Sequence, residues 1–542
     1  MMMNAGTVKR SRRALLSLVL CASVIQLAAC QQAQEAPPKV VNEPPISAQY
    51  PTTTTNNETN SSNKLAITAT PVTLTVFVDM PWFWVDSFTG PIPDELTKRT
   101  GVKLKIIRST DENQLPAMLA RGDLPDIIYS NRLADRLANK TTSYAWDLLM
   151  NAYTPKFEIS DEEKRLNASS DGHFYTIRNY YRSKADMNSP YAVADANTAA
   201  LTIRDDIMNQ LGNPPLNSLA DLEQILLRVK AEYPGLIPLL LDEMSHWSVY
   251  FQERFGVDGM YLRDGKVLNQ LRNPKLLDYY LFLNRLYREG LIQPENFTFN
   301  HDQYIEKRDS GVAFAFIRNV YDANAANSAY QAARIAAHAK LITVPLSDSF
   351  KHVDANAGLV GTYITKKSRY PDVAIRLLQY LRSEEGQRLM TWGIEGVHWQ
   401  MSKAGYPIFD KKYQKDRYES FDKWVQKYGV AAWTFGVHGN TANLAAYDPS
   451  QPEIMDALRM EKAHTVYEPL LARANPPADS AEAKIAAEVK KLISGEQTMV
   501  ILADTQEGCI AQYNLMVSKA EALGLSKVED WMSKKYAEVS KK

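Results

Sequence analysis

Two tryptophans stand one residue apart in Met80-Pro81-Trp82-Phe83-Trp84. On extended backbone, side chains two apart point the same way, so Trp82 and Trp84 share a face and Phe83 takes the other. Flat aromatic faces so placed can stack on the C–H side of consecutive sugar rings, or pack into a core. The pair follows the apolar run Thr73–Val78. A loop leaving a strand C-terminus carries binding groups on a rigid scaffold. Other candidates occupy comparable points. Asp126 opens the run Ile127-Ile128-Tyr129, where its carboxylate either accepts from ligand hydroxyls or caps a turn. Asn131, just after that run, belongs to the rim. Trp247 follows Leu239–Leu241, and Arg318 ends Val312–Ile317, where it either donates to a sugar or acidic ligand or is simply solvated. Glu395, His398 and Trp399 lie in Gly393-Ile394-Glu395-Gly396-Val397-His398-Trp399. Its glycines allow a sharp turn that brings polar groups to a ligand, unless Glu395 only holds the turn together.

Other chemistries lack their residues. The sequence has no H-E-x-x-H, no C-x-x-C, no phosphate-binding G-x-x-x-x-G-K-[ST] and no G-x-S-x-G elbow. Its eight histidines include no i, i+4 pair. The stretch Asp186–Asp195 holds oxygen ligands but lacks the D-x-D-x-D-G spacing of a calcium loop, so no metal site is assigned. No cofactor is implied. Two carboxylates that cleave a glycosidic bond need closeness only in space, so a glycoside hydrolase or lyase stays open as the alternative to a binding protein. Lys+Arg and Asp+Glu both number 62, which gives no reason to expect a nucleic-acid partner.

The first residues form a targeting pattern. Lys9, Arg10, Arg12 and Arg13 precede an apolar run from Ala14 to Ala29, and no acidic residue interrupts them. The run is shorter than the roughly 20 apolar residues of a spanning helix, so it reads as the core of a cleaved signal, residues 1–29. It ends in Leu27-Ala28-Ala29-Cys30, the pattern of a lipobox, which makes Cys30 the lipidation site. With Cys21 in the signal and Cys30 lipidated, only Cys509 is left, and no disulfide can form within the mature chain. Residues 30–70 are rich in Pro, Thr, Asn, Ser and Gln, too polar to offset their ordering entropy, and are expected to form a disordered tether. The expected location is the outer face of a cell membrane, held by lipid.

The candidates need a scaffold, and the sequence supplies one from residue 71 onward. Strand-like Thr73–Val78, a helix over Pro93–Thr100 closed by Gly101, strand-like Val102–Ile106, a helix over Leu115–Arg121 stopped by Gly122, and strand-like Pro125–Tyr129 alternate as in a parallel α/β sheet. The pattern resumes with Leu201–Arg204, a helix over Asp205–Leu211 before Gly212, and a helix capped by Ser218 with Asp221 three residues on. Val312–Ile317 and Leu341–Val344 read as strands, and Pro371–Met390 and 481–494 as amphipathic helices. About 470 residues exceed one usual domain, so two α/β lobes are expected. The expected division gives residues 71–200 and 346–395 to the first and 201–345 and 396–542 to the second.

Four segments, in order, resemble extracellular solute-binding proteins of the large sugar-binding class, closest to the LipO-like lipoproteins of spore-forming Gram-positive bacteria. They are Arg121-Gly122-Asp123-Leu124-Pro125-Asp126-Ile127; Leu201–Leu211 with Ser218–Leu222; Gly265-Lys266-Val267 with Tyr287–Ile292; and Ile364–Lys367 through Ser383–Gly386 to Trp392–Gly396. The resemblance implies a two-lobed, type II periplasmic-binding-protein-like fold with a hinge and an interlobe cleft. It also implies a non-enzymatic monomer that takes up a carbohydrate, of oligosaccharide size, and delivers it to the permease pair of an ABC importer. Peptides and other solutes are the alternative ligands.

Overall fold

A computed structural model describes residues 70–541, except 82–86, 184, 196–197, 243, 420, 431–440, 442–443, 445–446 and 478–479. Of residues 244, 245, 418, 419, 421 and 422 only the backbone is described. Contacts divide the chain into Met1–Asn57 and Glu58–Lys542, and everything described belongs to the second unit. Among the described residues no helix is long and apolar enough to cross a membrane.

The described strands are β1 (Val72–Val78), β2 (Val102–Arg108), β3 (Ile127–Ser130), β4 (Ala199–Arg204), β5 (Ile237–Leu241), β6 (Tyr261–Arg263), β7 (Lys266–Leu268), β8 (Ala313–Asn319), β9 (Ala339–Leu341), β10 (His352–Asp354), β11 (Gly361–Ile364), β12 (Trp399–Met401), β13 (Pro407–Phe409) and β14 (Thr465–Tyr467). Two four-stranded sheets carry the architecture. The first runs β11-β3-β1-β2, with β1 parallel to both β2 and β3 and β11 antiparallel at the edge. Its centre is apolar on both faces, as in covered parallel sheets, whereas β2 alternates lysine and aliphatic residues because it is the half-buried edge. The intervening helices are Pro91–Thr100 and Gln114–Arg121, closed by Gly101 and Gly122 in the left-handed conformation.

The second sheet runs β5-β8-β4-β9, with β5 parallel to β8 and the other pairs antiparallel. β4 is buried along its whole length, as is most of β8. The helix Leu219–Glu232 starts as its sequence predicts: the Ser218 side chain accepts from Asp221 N. Helices Met244–Phe255, Lys275–Arg288, Ala481–Ile501 and Gln506–Leu523 contribute to this core. Cys509 is buried there as a free thiol.

Two large apolar clusters result, one on each sheet. The chain leaves the first after Ile177 and enters the second at Ala199. It returns between Leu346 and Val360, and crosses again after Val430, reaching the flank of the second sheet at Ile454. The expected boundary at residue 396 needs correction. Tyr413, Trp424, Val425 and Val430 are buried in the first cluster, so the segment from Trp399 to Val430 packs with the first lobe. Its apolar residues match either core in kind, and only the third crossing decides which core receives them.

The helix expected over Pro371–Met390 is two helices, Pro371–Arg382 and Glu384–Trp392. Ser383 stops one by donating its N–H to the carbonyls of Gln379 and Tyr380, and caps the next through its hydroxyl, which accepts from Gly386 N. A Cβ at Gly386 would overlap the Tyr380 carbonyl, so glycine permits this tight corner.

Candidate ligand cleft at the lobe crossings

In open α/β sheets, ligands meet the carboxyl ends of the strands. At that edge of the first sheet, β1 runs into Asp79, which is 1% exposed. Arg132 grips its carboxylate with two bonds, Nη2 to Oδ1 at 2.7 Å and Nε to Oδ2 at 3.1 Å. The Ser130 hydroxyl donates to the same Oδ2 at 2.8 Å. This closed triad fixes the exits of β1 and β3 side by side. Arg108, at the end of β2, donates to the Pro81 carbonyl at 3.3 Å and so holds the stem of the next loop. Trp82 and Trp84, which follow Pro81 in the sequence, lie outside the described residues. Asn131 is exposed next to the triad.

Asp126 sits at the opposite end of β3. Its Oδ2 accepts from Thr75 N at 2.8 Å and Thr75 Oγ1 at 2.7 Å, and its Oδ1 from Ser368 Oγ at 2.9 Å. Both oxygens are engaged in tying β3 to β1 and to the turn after β11. Of the two readings open in the sequence, the structure supports the scaffold one.

At the carboxyl edge of the second sheet, Asp242 follows β5 and Arg318 lies near the end of the adjacent parallel β8. The Asp242 carboxylate is 2% exposed and contacts His246 Nδ1 at 2.8 Å. Burial raises its pKa against the opposing hydrogen bond from His246. Arg318 lies between two acids, with Nε 4.0 Å from Asp242 and Nη1 3.5 Å from Asp322. Asp322 is held in turn by Arg308 at 3.0 Å and by the Tyr304 hydroxyl at 2.8 Å. Arg318 Nε is buried and has no hydrogen-bond partner among the described residues.

Trp247 was expected at this edge and is instead fully buried, edge-on to Phe297 at 5.5 Å. The reason is helical phase. The helix Met244–Phe255 starts three residues after β5 and turns Trp247, Tyr250, Phe251 and Arg254 inward. The other face carries His246, Val249 and Glu253, at i, i+3 and i+7, into a cavity of about 360 Å³.

That cavity lies at the crossings. Arg182, Asp195 and Thr198 come from the first, His352 and Asp354 from the second, and Glu461, Thr465 and Tyr467 follow the third. β10 and β14 pair in parallel along its wall. Arg182 and Asp354 form an ion pair at 3.2 Å, both nearly buried. His352 Nδ1 sits 3.0 Å from Glu253 and 3.1 Å from Asp258. Burial opposes its charge, yet the contacts with Asp258 and Glu253 outweigh burial and push its pKa up to about 11. Glu253 also accepts from Arg254 at 3.0 Å, and that guanidinium packs on the rings of Tyr250 and Phe350. Burial, then the charge of Glu253, push Glu461 up to about 7. Of these groups only Asp195 stands out in the sequence, as the end of a stretch with oxygen ligands; the i, i+3, i+7 face of the helix after β5 is the one signal that could have pointed to the cavity.

The turn Gly393–Trp399 is elsewhere, on the first lobe. Glu395 is exposed. His398 is buried, stacks on Tyr413 at 4.6 Å, and accepts from Ile394 N at Nδ1. Burial lowers its pKa, which suits an acceptor imidazole. Trp399 is 2% exposed, donates from Nε1 to the Gly393 carbonyl at 2.8 Å, and meets Trp392 edge-on. Gly393 adopts φ 94°, and a Cβ there would lie 2.5 Å from His398 Nδ1. His398 and Trp399 are thus engaged in folding the turn, which corrects their expected place at the ligand.

No protein-family model matches the chain, and no curated protein does either. Solved structures match over most of its length. The calcium-free alginate-binding protein AlgQ2 superposes with a TM-score of 0.64 at 18% identity, covering 88% of this chain and 100% of that one. A solute-binding protein from Bifidobacterium longum infantis, described as HMO-binding and ABC-transporter-associated, gives 0.64 at 16% identity over 86% and 99%. The S. pneumoniae ABC-transporter substrate-binding protein FusA, in complex with kestose, gives 0.62 at 16% over 86% and 99%. The chain has the mixed α/β, two-lobed fold of these proteins.

Proposed function

We propose that this chain is an extracellular receptor that binds an oligosaccharide between its two lobes and delivers it to an ABC importer. One observation carries the reading: AlgQ2, the HMO-binding protein and FusA are each matched over 99–100% of their length, both lobes included. All three are binding proteins, so the role proposed is capture and release without catalysis. Cys30 is proposed as the lipid anchor that keeps the receptor at the membrane, with residues 30–70 as tether. Acyl anchoring contributes about 0.8 kcal/mol per buried CH₂, and stable attachment needs two chains.

The proposed binding groups are Trp82 and Trp84 on the β1 loop, Asn131 at the neighbouring rim, and Arg318 on the second lobe. Aromatic faces would take the apolar side of sugar rings, and Arg318 would donate to hydroxyls or a carboxylate. Closure follows from differential affinity, since a ligand touching both lobes binds the closed state more tightly.

The test uses the soluble chain from residue 31 and a panel of neutral and acidic oligosaccharides, monosaccharides and peptides. A receptor gives a thermal shift and a calorimetric isotherm with an oligosaccharide, and returns that sugar intact after long incubation. Cleavage products would favour the hydrolase or lyase alternative. Binding confined to peptides would overturn the sugar assignment.

A further inference from the structure

We propose that Glu253, Asp258 and His352 hold a divalent cation of the zinc or manganese type at the lobe crossing, with Glu461 on the wall of the same cavity. The first three offer one imidazole nitrogen and two carboxylate oxygens, all within 4.8 Å of one another. His352 Nδ1 is 3.0 Å from one oxygen and 3.1 Å from the other. Ligand atoms of a tetrahedral site with bonds of about 2.0–2.1 Å stand roughly 3.3 Å apart, so a small relaxation would admit an ion. Without an ion, one Nδ1–H is shared between the two carboxylates.

A second observation points into the same place. Glu461 is 3% exposed, and its Oε2 has no hydrogen-bond partner among the described residues. It lines the same cavity as Glu253 and His352. A buried carboxylate oxygen without a partner is costly unless something else satisfies it. A cation bound by its neighbours would do so.

Arg254 lies beside Glu253 with its guanidinium on the Tyr250 ring, and Arg182 and Asp354 pair with each other across the cavity. Mixed imidazole and carboxylate donors favour zinc or manganese over calcium or magnesium. The ion would join the helix Met244–Phe255 of the second lobe, which carries Glu253, to β10 in the second crossing, which carries His352.

The chain is stripped with a chelator and titrated with zinc chloride, then manganese chloride, by calorimetry. We expect one ion per chain and a raised unfolding temperature. His352→Gln and Asp258→Asn should weaken binding by more than the roughly 10–100-fold that outer-shell changes cost. Zinc affinity unchanged in both of those variants overturns the proposal, as does absence of stoichiometric binding by either ion. Should the variants fail to fold, the cobalt(II)-loaded wild-type chain decides: a visible spectrum no different from the aquo ion sinks the idea. None of these readouts involves sugar, so the cation site fails or stands separately from the receptor reading.

Discussion

The turn Gly393–Trp399 and the cavity at the crossings are built from the same kinds of residue and come out opposite. Each has a histidine, a glutamate and aromatic rings. In the turn, the histidine is pressed between Tyr413 and Tyr428, its pKa lowered by burial, and its Nδ1 accepts a backbone N–H. At the crossing, His352 lies between two carboxylates and its pKa is pushed up to about 11. The first imidazole is packed scaffold, and the second sits among charged groups at the crossing. Residue type does not separate them; the charge brought up by distant segments does.

The sharpest way to break this contrast is to remove scaffold and look for an effect on binding. Trp399→Ala deletes a buried indole and its bond to Gly393, and should cost about 3–5 kcal/mol of unfolding free energy. Oligosaccharide affinity of the folded fraction should not change. Chemical denaturation beside calorimetry checks both, and lost affinity with full stability would put the turn back in the site.

The reverse pattern is expected on the β1 loop. For the better placed of Trp82 and Trp84, alanine should cost about 2–4 kcal/mol of binding, roughly thirtyfold to a thousandfold. Unfolding midpoints without ligand should move less. If both variants bind normally, the loop is scaffold and the contrast loses its functional half.

The crossing also has a pH signature of definite sign. Glu461 is held at about 7 in the folded chain against an ordinary value of 4.5. The native state therefore binds more protons than the unfolded state between those values, so Glu461 makes stability fall as pH rises through that window. Glu461→Gln should match wild type near pH 4 and exceed it by up to about 3 kcal/mol at pH 8. Denaturation midpoints across that range, in chelator, check it. A difference that is flat with pH would mean that Glu461 is not desolvated.

The sequence made the local structure legible because local rules set it. Gly101 and Gly122 end helices, Ser218 caps one, and the apolar runs of β1, β4 and β8 occupy buried positions. Ser383 shows the limit. It reads as an ordinary polar position on a helix, and only the close approach of Gly386 to Tyr380 reveals the corner. Trp247 shows another, since one residue of helical phase exchanged it for His246 at the cavity. The crossing cluster was illegible for a stronger reason. Glu253, His352 and Glu461 are about a hundred residues apart, and no spacing rule joins groups that meet only when three crossings converge.

The smallest expected effect concerns Asp126, whose two readings the sequence left level. In the structure its Oδ2 takes two bonds from Thr75 and its Oδ1 one from Ser368. Asparagine can keep all three contacts. Its amide oxygen would face Thr75, and its NH₂ would face Ser368, whose hydroxyl can turn and accept. What is lost is the charge assistance of three bonds, while the desolvation of a partly buried carboxylate is relieved. These terms oppose, so Asp126→Asn should lower stability by only about 1 kcal/mol. Asp126→Ala strands the Thr75 N–H and should cost about 1–3 kcal/mol. Neither change should alter oligosaccharide affinity, because the residue lies at the end of β3 away from Ser130 and the triad. A tenfold loss of affinity in Asp126→Asn with stability intact would reverse that assignment. It would mean that ligand reaches the amino end of the first sheet, and the contrast between scaffold and crossing would have to be redrawn.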